Sequence, residues 1–394
     1  MIYLDYNATT PLSEPARNAM LPYFGETFGN PSSVHAAGRE ARAAIDNSRD
    51  RLAHLLGVKP HELIFTAGGT EANNLAVLGL ARSQAERGRH LISCCTEHHA
   101  VLQAIEFLQK YEGWDVTWLK VRSEGLIDPD ELAGAIRNDT ILVSIMQANN
   151  ETGVIQPLRQ ISEICRIRGI PLHSDMVQSF GKIATDLTVV DAASFAAHKF
   201  YGPKGAGFLF LRSGIAIEPI NFGGAHENQR RPGTENVAAI VGMALAAEFV
   251  ESDRQSEQER EQVLRNLLWE QIERQVPSAI ANGDASHRLA NTLNLSLPDL
   301  DSETMLMALD LEGVCASSGS ACMVGSVVAS HVLLAMGLGS ERAKSAIRFS
   351  LGKFTSRDEI MTTAEIVSHI VQRTNAKRIE KKERLGVKPA RVLL

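Results

Sequence analysis

The segment "GIPLHSDMVQSFGK" (169–182) runs from a short apolar stretch into a carboxylate, Asp175, and then an amide, Gln178. A carboxylate at the exit of a buried strand is costly unless it meets a cation or strong donors. On its N-terminal side stand a helix-like "PLRQISEICRIRG" (157–169) and an apolar "TILVSIMQ" (140–147). On its C-terminal side stand "AASFAA" (192–197) and "GFLFLR" (207–212). Further out, "ELIFT" (62–66), "HLISCC" (90–95) and "DVTWLKV" (115–121) have the same strand-like form. Amphipathic segments such as "EANNLAVLGLARSQAERG" (71–88) separate most of them. This alternation predicts an α/β fold with a mostly parallel seven-stranded sheet covered on both faces. In such sheets, binding groups gather beyond the carboxyl ends of the strands.

The chain has 394 residues, enough for two packed lobes. After about residue 255 its character changes. A charged amphipathic helix is expected over 253–276, then a smaller α+β lobe containing "TLNLSL", "SETMLMALDLEG" and "AIRFSLG" and ending in a helix near 356–374. We therefore expect a large domain over 14–255 and a small one over 256–374, joined by the returning strip 1–13. Residues 375–394 form a basic tail. The net charge of −6 implies no general attraction to nucleic acid or membrane. The start "MIYLDYNATTPLS" lacks the pattern of a secretory signal. Five cysteines without a C-x-x-C pair argue against a disulfide framework or zinc, and no other metal is expected. A reducing, cytoplasmic setting follows as an expectation.

Three strand ends carry chemistry. After "ELIFT" comes "AGGTEANN", where Gly69 and Thr70 stand at a helix N-terminus suited to a phosphate; a capping threonine explains the same letters. After "IPLHS" comes Asp175, a partner for a protonated heterocyclic nitrogen or one half of a structural ion pair. After "AASFAA" comes "HKFYGPKG" (198–205), in which Lys199 precedes a Gly-Pro turn and is suited to imine formation. Singly these are ambiguous. A phosphate cradle, a pyridinium partner and an imine-forming lysine on one sheet edge point together to pyridoxal 5'-phosphate (PLP).

Other polar groups fit around this site. His98 of "TEHHAV" follows a strand end and suits stacking and proton transfer. Asn149 and Asn150 of "QANNETG" suit a phenolate or a carboxylate. Arg348, in the apolar "SAIRFSLG", calls for an anion: a substrate carboxylate or a structural partner. Cys322 lies in "CASSGSACMVG" (315–325), a composition that favours a loop reached by solvent. Cys315 and the Cys94–Cys95 pair read as packing residues, with a vicinal thiol relay as the alternative for the pair.

The chain resembles cysteine desulfurases of the NifS/IscS type over nearly its whole length. The resemblance is carried by "YLDYNATTP", "FGNPSSVH", "FTAGGTEANNLA", "TEHHAVL", "ILVSIMQANNETGVIQP", "HSDMVQSFGK", "AHKFYGPKG", "RRPGTEN", "SSGSAC", "SHVLLAMGL" and "IRFSLGKFT". It implies PLP fold type I, aminotransferase class V-like, in the long-loop subgroup. It also implies conversion of L-cysteine to L-alanine, with the sulfur held as a persulfide on Cys322 and passed to an acceptor protein. That acceptor would be an iron–sulfur scaffold or a tRNA-thiolation protein.

Carried over by motif, Lys199 would bond PLP, His98 would stack on it, and Asp175 would pair with its ring nitrogen. Gln178 and Asn150 would lie at the phenolic oxygen. Gly69, Thr70 and His198 would hold the phosphate, joined by Thr234 from the other subunit of a homodimer. Arg348, Asn30 and Asn150 would take the substrate. Three departures stand out. Met176 replaces a small residue and would set a thioether against the ring's back face. Ala196 replaces a phosphate-binding serine, and "MVGSVVASH" follows Cys322. Another PLP-dependent lyase or aminotransferase would keep Lys199 and Asp175 without needing Cys322. A non-catalytic assembly subunit would keep only the fold.

Overall fold

The chain opens with a two-residue strand, β1 (Ile2–Tyr3), before the large sheet begins. That sheet contains β2 (Leu63–Thr66), β3 (His90–Cys94), β4 (Asp115–Leu119) and β5 (Thr140–Ser144). It is completed by β6 (Leu172–Asp175), β7 (Ala192–Ala196) and β8 (Gly207–Leu211). The computed structural model describes residues 1–318 and 329–384, with side chains described to residue 376 in the last helix.

The spatial order is β2-β8-β7-β6-β5-β3-β4. Neighbours from β4 through β7 pair in parallel, whereas β8 is antiparallel to both β7 and β2. The expected mostly parallel seven-stranded α/β sheet is therefore the architecture observed. Because only β8 is reversed, the carboxyl ends of the other strands share one edge, where the site must form.

Burial explains the apolar runs. Every residue of β2, β3, β5, β6, β7 and β8 is buried, while the edge strand β4 exposes Asp115. The buried His173 of β6 is satisfied inside the sheet: its ring bridges Ser144 Oγ (2.8 Å) and Ser194 Oγ (3.0 Å) on its two neighbours. At the other edge, Phe65 N–H donates to Glu227 Oε2 at 3.0 Å, so β2 is capped rather than left open. Phe195 stacks on Phe208 at 4.3 Å, and Phe180 meets Phe195 and Phe200 edge-on at 5.4 and 4.7 Å. This aromatic cluster pins the segments that leave β6 and β7.

The second lobe contains β9 (Ile280–Asn282), β10 (Thr292–Ser296), β11 (Val314–Cys315) and β12 (Ala346–Ser350). Three of these form an antiparallel sheet in the order β12-β10-β9, and β11 pairs in parallel with β1. Leu264 and Leu268 from the helix Arg254–Gln275 share a core with Leu293, Phe349, Ile360 and Val367. The last helix runs Arg357–Arg384, ten residues past the expected end at 374. Its extension, "NAKRIEKKER" (375–384), is made mostly of helix formers and meets no Gly or Pro until Gly386, so nothing in it stops the helix.

The N-terminal strip stitches the lobes together. Leu4 N–H donates to Cys315 O at 2.9 Å, and Asn7 N–H donates to Ser350 Oγ at 2.9 Å. On the other side, Thr10 N–H donates to His198 O at 2.9 Å and Ser13 N–H to Tyr201 O at 2.9 Å. Among the described residues, no helix is long and apolar enough to cross a membrane.

Candidate active site

A cavity of about 390 Å³ lies at the shared carboxyl edge, within the usual size range for a small cofactor. Gly69, Thr70, His98, Asn150, Asp175, Gln178, His198, Lys199 and Arg348 all line it, having been drawn from across the sequence. Asn30 and Thr234 are not among its lining residues. Asn30 is exposed, and its Oδ1 accepts from Ser32 N–H at 2.9 Å; Thr234 is exposed as well. Cys322 lies outside the described residues.

Asp175 ends β6 and is 4% exposed. Its Oδ2 accepts from Asn73 Nδ2 at 2.6 Å and its Oδ1 from Val177 N–H at 2.9 Å. Both donors are uncharged, so neither is a counter-ion to the carboxylate. Asn73 Oδ1 is itself buried without a partner.

Lys199 closes the single turn Ala197–Lys199 that follows β7. Its Nζ donates to Asn7 O (2.6 Å) and Ala8 O (2.8 Å) of the N-terminal strip. Adjacent His198 places Nδ1 3.2 Å from Thr9 Oγ1. Burial, with Lys199 and Lys204 nearby, holds its pKa down to about 4, so it is neutral near pH 7.

His98 is the N-cap of the helix His99–Glu112, and its Nδ1 accepts from Ala100 N–H at 3.1 Å. That bond assigns the neutral ring's proton to Nε2. Burial lowers its pKa; Asp175 opposes the shift, and Lys199 deepens it. The tandem asparagines divide their roles. Asn149 Oδ1 accepts from Glu151 and Thr152 N–H at 2.9 Å each, a turn contact, whereas Asn150 reaches the cavity.

Of the two readings of Arg348, the structural partner is present in the fold. From β12, its Nη2 pairs with Asp5 Oδ1 at 2.7 Å and its Nη1 donates to Asn150 O at 2.8 Å. The side chain is buried, and Nε has no partner. One donor of the guanidinium is thus buried and unsatisfied, while the residue as a whole contributes to the cavity lining.

Two expectations change. Met176 is 0% exposed and packs in the main core, so its thioether does not line the cavity; Val177 does, and the methionine at the wall is Met146. Met176 N–H donates to Ser194 O at 3.1 Å, which prolongs the ladder by one residue and turns that side chain inward. The N-cap of the helix Gly69–Ser83 is Gly68, at φ 151°, so Thr70 sits one step inside the helix with an exposed side chain. Gly69 has a steric reason to be glycine. A Cβ there would lie 2.7 Å from Val177 Cγ2 and 3.3 Å from Ala196 Cβ.

Sequence reasoning missed Asn7 and Asn73, although both lie in quoted motifs. Their importance is in their partners, which sit 102 to 343 positions away. The residues fit PLP on three structural grounds. A glycine cradle stands at a helix N-terminus, a buried acid held by neutral donors awaits a cation, and a lysine stands across the same cavity.

Residues 2–362 match the family model "Aminotransferase class-V". The chain is 45% identical over 374 residues to the cysteine desulfurase IscS of Dictyoglomus turgidum, covering 94% of this chain and 95% of that one. Its fold matches a solved NifS-like protein with a TM-score of 0.89 at 35% identity, covering 94% of this chain and 99% of the other. It also matches SspA in complex with cysteine, with a TM-score of 0.80 at 34% identity, covering 90% and 100%.

Proposed function

The chain belongs to the aminotransferase class-V family as a PLP-dependent cysteine desulfurase, and from that premise we propose how its own residues handle L-cysteine and its sulfur. The observation that carries the assignment is the meeting of Asp175 and Lys199, from the ends of adjacent strands β6 and β7, in one cavity beside His98. When bound, PLP supplies an aldehyde for amine condensation and an electron-poor ring that stores the electron pair left at the substrate Cα.

Asp175 would hold the ring nitrogen and keep its proton in place, while Asn73 and Val177 N–H fix the carboxylate's direction. Gly69, Thr70 and His198 receive the phosphate at the start of the helix Gly69–Ser83. Gln178 and Asn150, both lining the cavity, would hold the ring oxygen. Arg348, a lining residue of the cavity, offers its guanidinium to the substrate carboxylate. Lys199 Nζ takes the proton from the substrate Cα. His98 Nε2 moves a proton at the substrate sulfur. Cys322 Sγ, as a thiolate, attacks that sulfur; the C–S bond breaks with its electron pair going to carbon, and Sγ keeps the sulfur as a persulfide. The Cys322 persulfide then passes its sulfur to an acceptor protein, either an iron–sulfur scaffold or a tRNA-thiolation protein.

The working form is a homodimer in which Thr234 completes the partner's phosphate site. Support comes from the exposed Phe24, Phe28 and Phe222, which call for cover, and from the Ser32–His226 contact (3.2 Å) that joins their segments. A cytoplasmic location accords with free cysteines at 94, 95, 165 and 315.

Alanine and sulfide formation from L-cysteine tests the reading. Cys322→Ala retains the visible PLP band and loses persulfide formation, and Lys199→Ala loses the lysine-linked band. Unchanged turnover in Cys322→Ala removes Cys322 as the sulfur carrier.

A further inference from the structure

Lys182 closes the same segment that carries Asp175 and Gln178, yet the chemistry above gives it no task. It lies half-buried in the seam between the lobes. Its Nζ donates to Gln178 Oε1 at 2.9 Å and to Asn7 Oδ1 at 3.0 Å. Gln178 Nε2 in turn donates to Asn7 O at 2.9 Å, and Lys199 Nζ donates to that same carbonyl at 2.6 Å. Two amines of the large lobe therefore hang on one asparagine of the N-terminal strip, one on its side-chain oxygen and one on its backbone oxygen.

This arrangement removes an ambiguity that an amide normally has. An ammonium only donates, so Gln178 must turn Oε1 toward Lys182. Its Nε2 then faces away, with one hydrogen on Asn7 O and a second left for the cavity that Gln178 lines. Asn7 is immobilised from the other lobe as well: Nδ2 donates to Thr292 Oγ1 at 2.9 Å, and Oδ1 accepts from Asn291 Nδ2 at 3.0 Å. Behind the two lysines lies a second, smaller cavity of about 20 Å³, room for one water, which Lys182, Lys199, Glu261, Tyr6 and Tyr201 line. The charges whose fields reach Lys182 are Glu261 from the helix Arg254–Gln275, Lys199, and Arg348 from β12. Burial and the two neighbouring cations pull its pKa down to about 7 against the pull of Glu261.

We propose that Lys182 is a positioning residue that locks the Gln178 amide nitrogen toward the coenzyme's ring oxygen and fixes Asn7 as the anchor of Lys199. Through both contacts it sets the proton affinity of the nitrogen that Lys199 contributes to the coenzyme linkage. The inference builds on the PLP reading of the cavity.

The test is a pH titration of the visible absorbance of the PLP-loaded protein. Lys182→Met keeps the length of the side chain and removes charge and donors. Gln178 then loses the contact that orients it, and a like charge near Lys199 disappears; both changes favour the protonated linkage. The midpoint rises by about one pH unit in Lys182→Met, and by less in Lys182→Gln, which keeps a donor. In a Gln178→Met background, at least half of the Lys182→Met shift vanishes, because the two residues act as a unit. A midpoint unmoved in both Lys182 variants overturns the proposal, and so does a shift that adds fully to that of Gln178→Met. A native protein that forms no visible band with PLP defeats the cofactor reading itself; a native band whose midpoint ignores Lys182 defeats only this assignment.

Discussion

Asn73 Nδ2 lies 2.6 Å from Asp175 Oδ2, joining the helix Gly69–Ser83 to the end of β6. With Val177 N–H on the other oxygen, the bond fixes the direction of a buried carboxylate. A hydrogen bond to a charged group contributes about 1.5–3 kcal/mol. Asn73→Ala is therefore expected to weaken PLP binding by one to two orders of magnitude, read by spectral titration of the apo-protein. An unchanged affinity would show that Asp175 needs no such support.

Gly69 and Val177 form a steric pair. Gly69→Ala puts a methyl 2.7 Å from Val177 Cγ2, an overlap that overpacking data price at about 1–3 kcal/mol. PLP affinity falls accordingly in Gly69→Ala. Adding Val177→Ala restores most of it, since the clash is with the tip of that side chain. Failure of the second change to rescue the first places the strain elsewhere.

His173 predicts a specific acid sensitivity. Its ring is fully buried between two serines, and burial lowers its pKa from 6.5 to about 3. The unfolded chain binds a proton below its own pKa while the folded chain does not, so stability falls as pH drops from 6.5 toward 3. Between pH 7 and pH 5 this residue accounts for a loss of about 2 kcal/mol. Urea unfolding at the two pH values measures it, and His173→Gln is expected to lose that much less than the native chain. Equal losses would mean that the proton is taken up elsewhere.

Thr234 predicts complementation between subunits. A hybrid of Lys199→Ala and Thr234→Val chains would hold one site with both native residues, provided Thr234 serves its partner's cavity. PLP loading and turnover then recover to about half of native, a count that follows from C2 symmetry. Hybrids no better than the Thr234→Val homodimer would confine Thr234 to its own chain.

Much of this was legible in local pattern. The runs at 62–66, 90–95, 192–197 and 207–212 are strands to within a residue, because burial on both faces leaves an uninterrupted apolar signature. "TILVSIMQ" overshot by three residues. Beyond Ser144 the chain still bonds its neighbour, with Ile145 N–H on His173 O and Gln147 N–H on Asp175 O, but no longer as a regular ladder. The end of the last helix was missed because a charged, Pro-free run carries no stop signal and looks the same as a loose tail.

Which side of a strand end faces the cavity was not legible. Met176 and Val177 are neighbours of similar character, and the expectation chose the wrong one of the pair.

Hydrophobic spacing along the chain was enough to lay out the strands, put an acid and a lysine at the ends of two of them, and name the coenzyme they suit. Those features are short-range, since a residue's tendency to be buried shows in the few positions around it. The roles of Asn7, Asn73 and Lys182, and the inward turn of Met176, came from contacts with residues up to 343 positions away. Such contacts exist only once both lobes have closed on the N-terminal strip, because hydrogen-bond direction and side-chain facing depend on which distant atoms arrive.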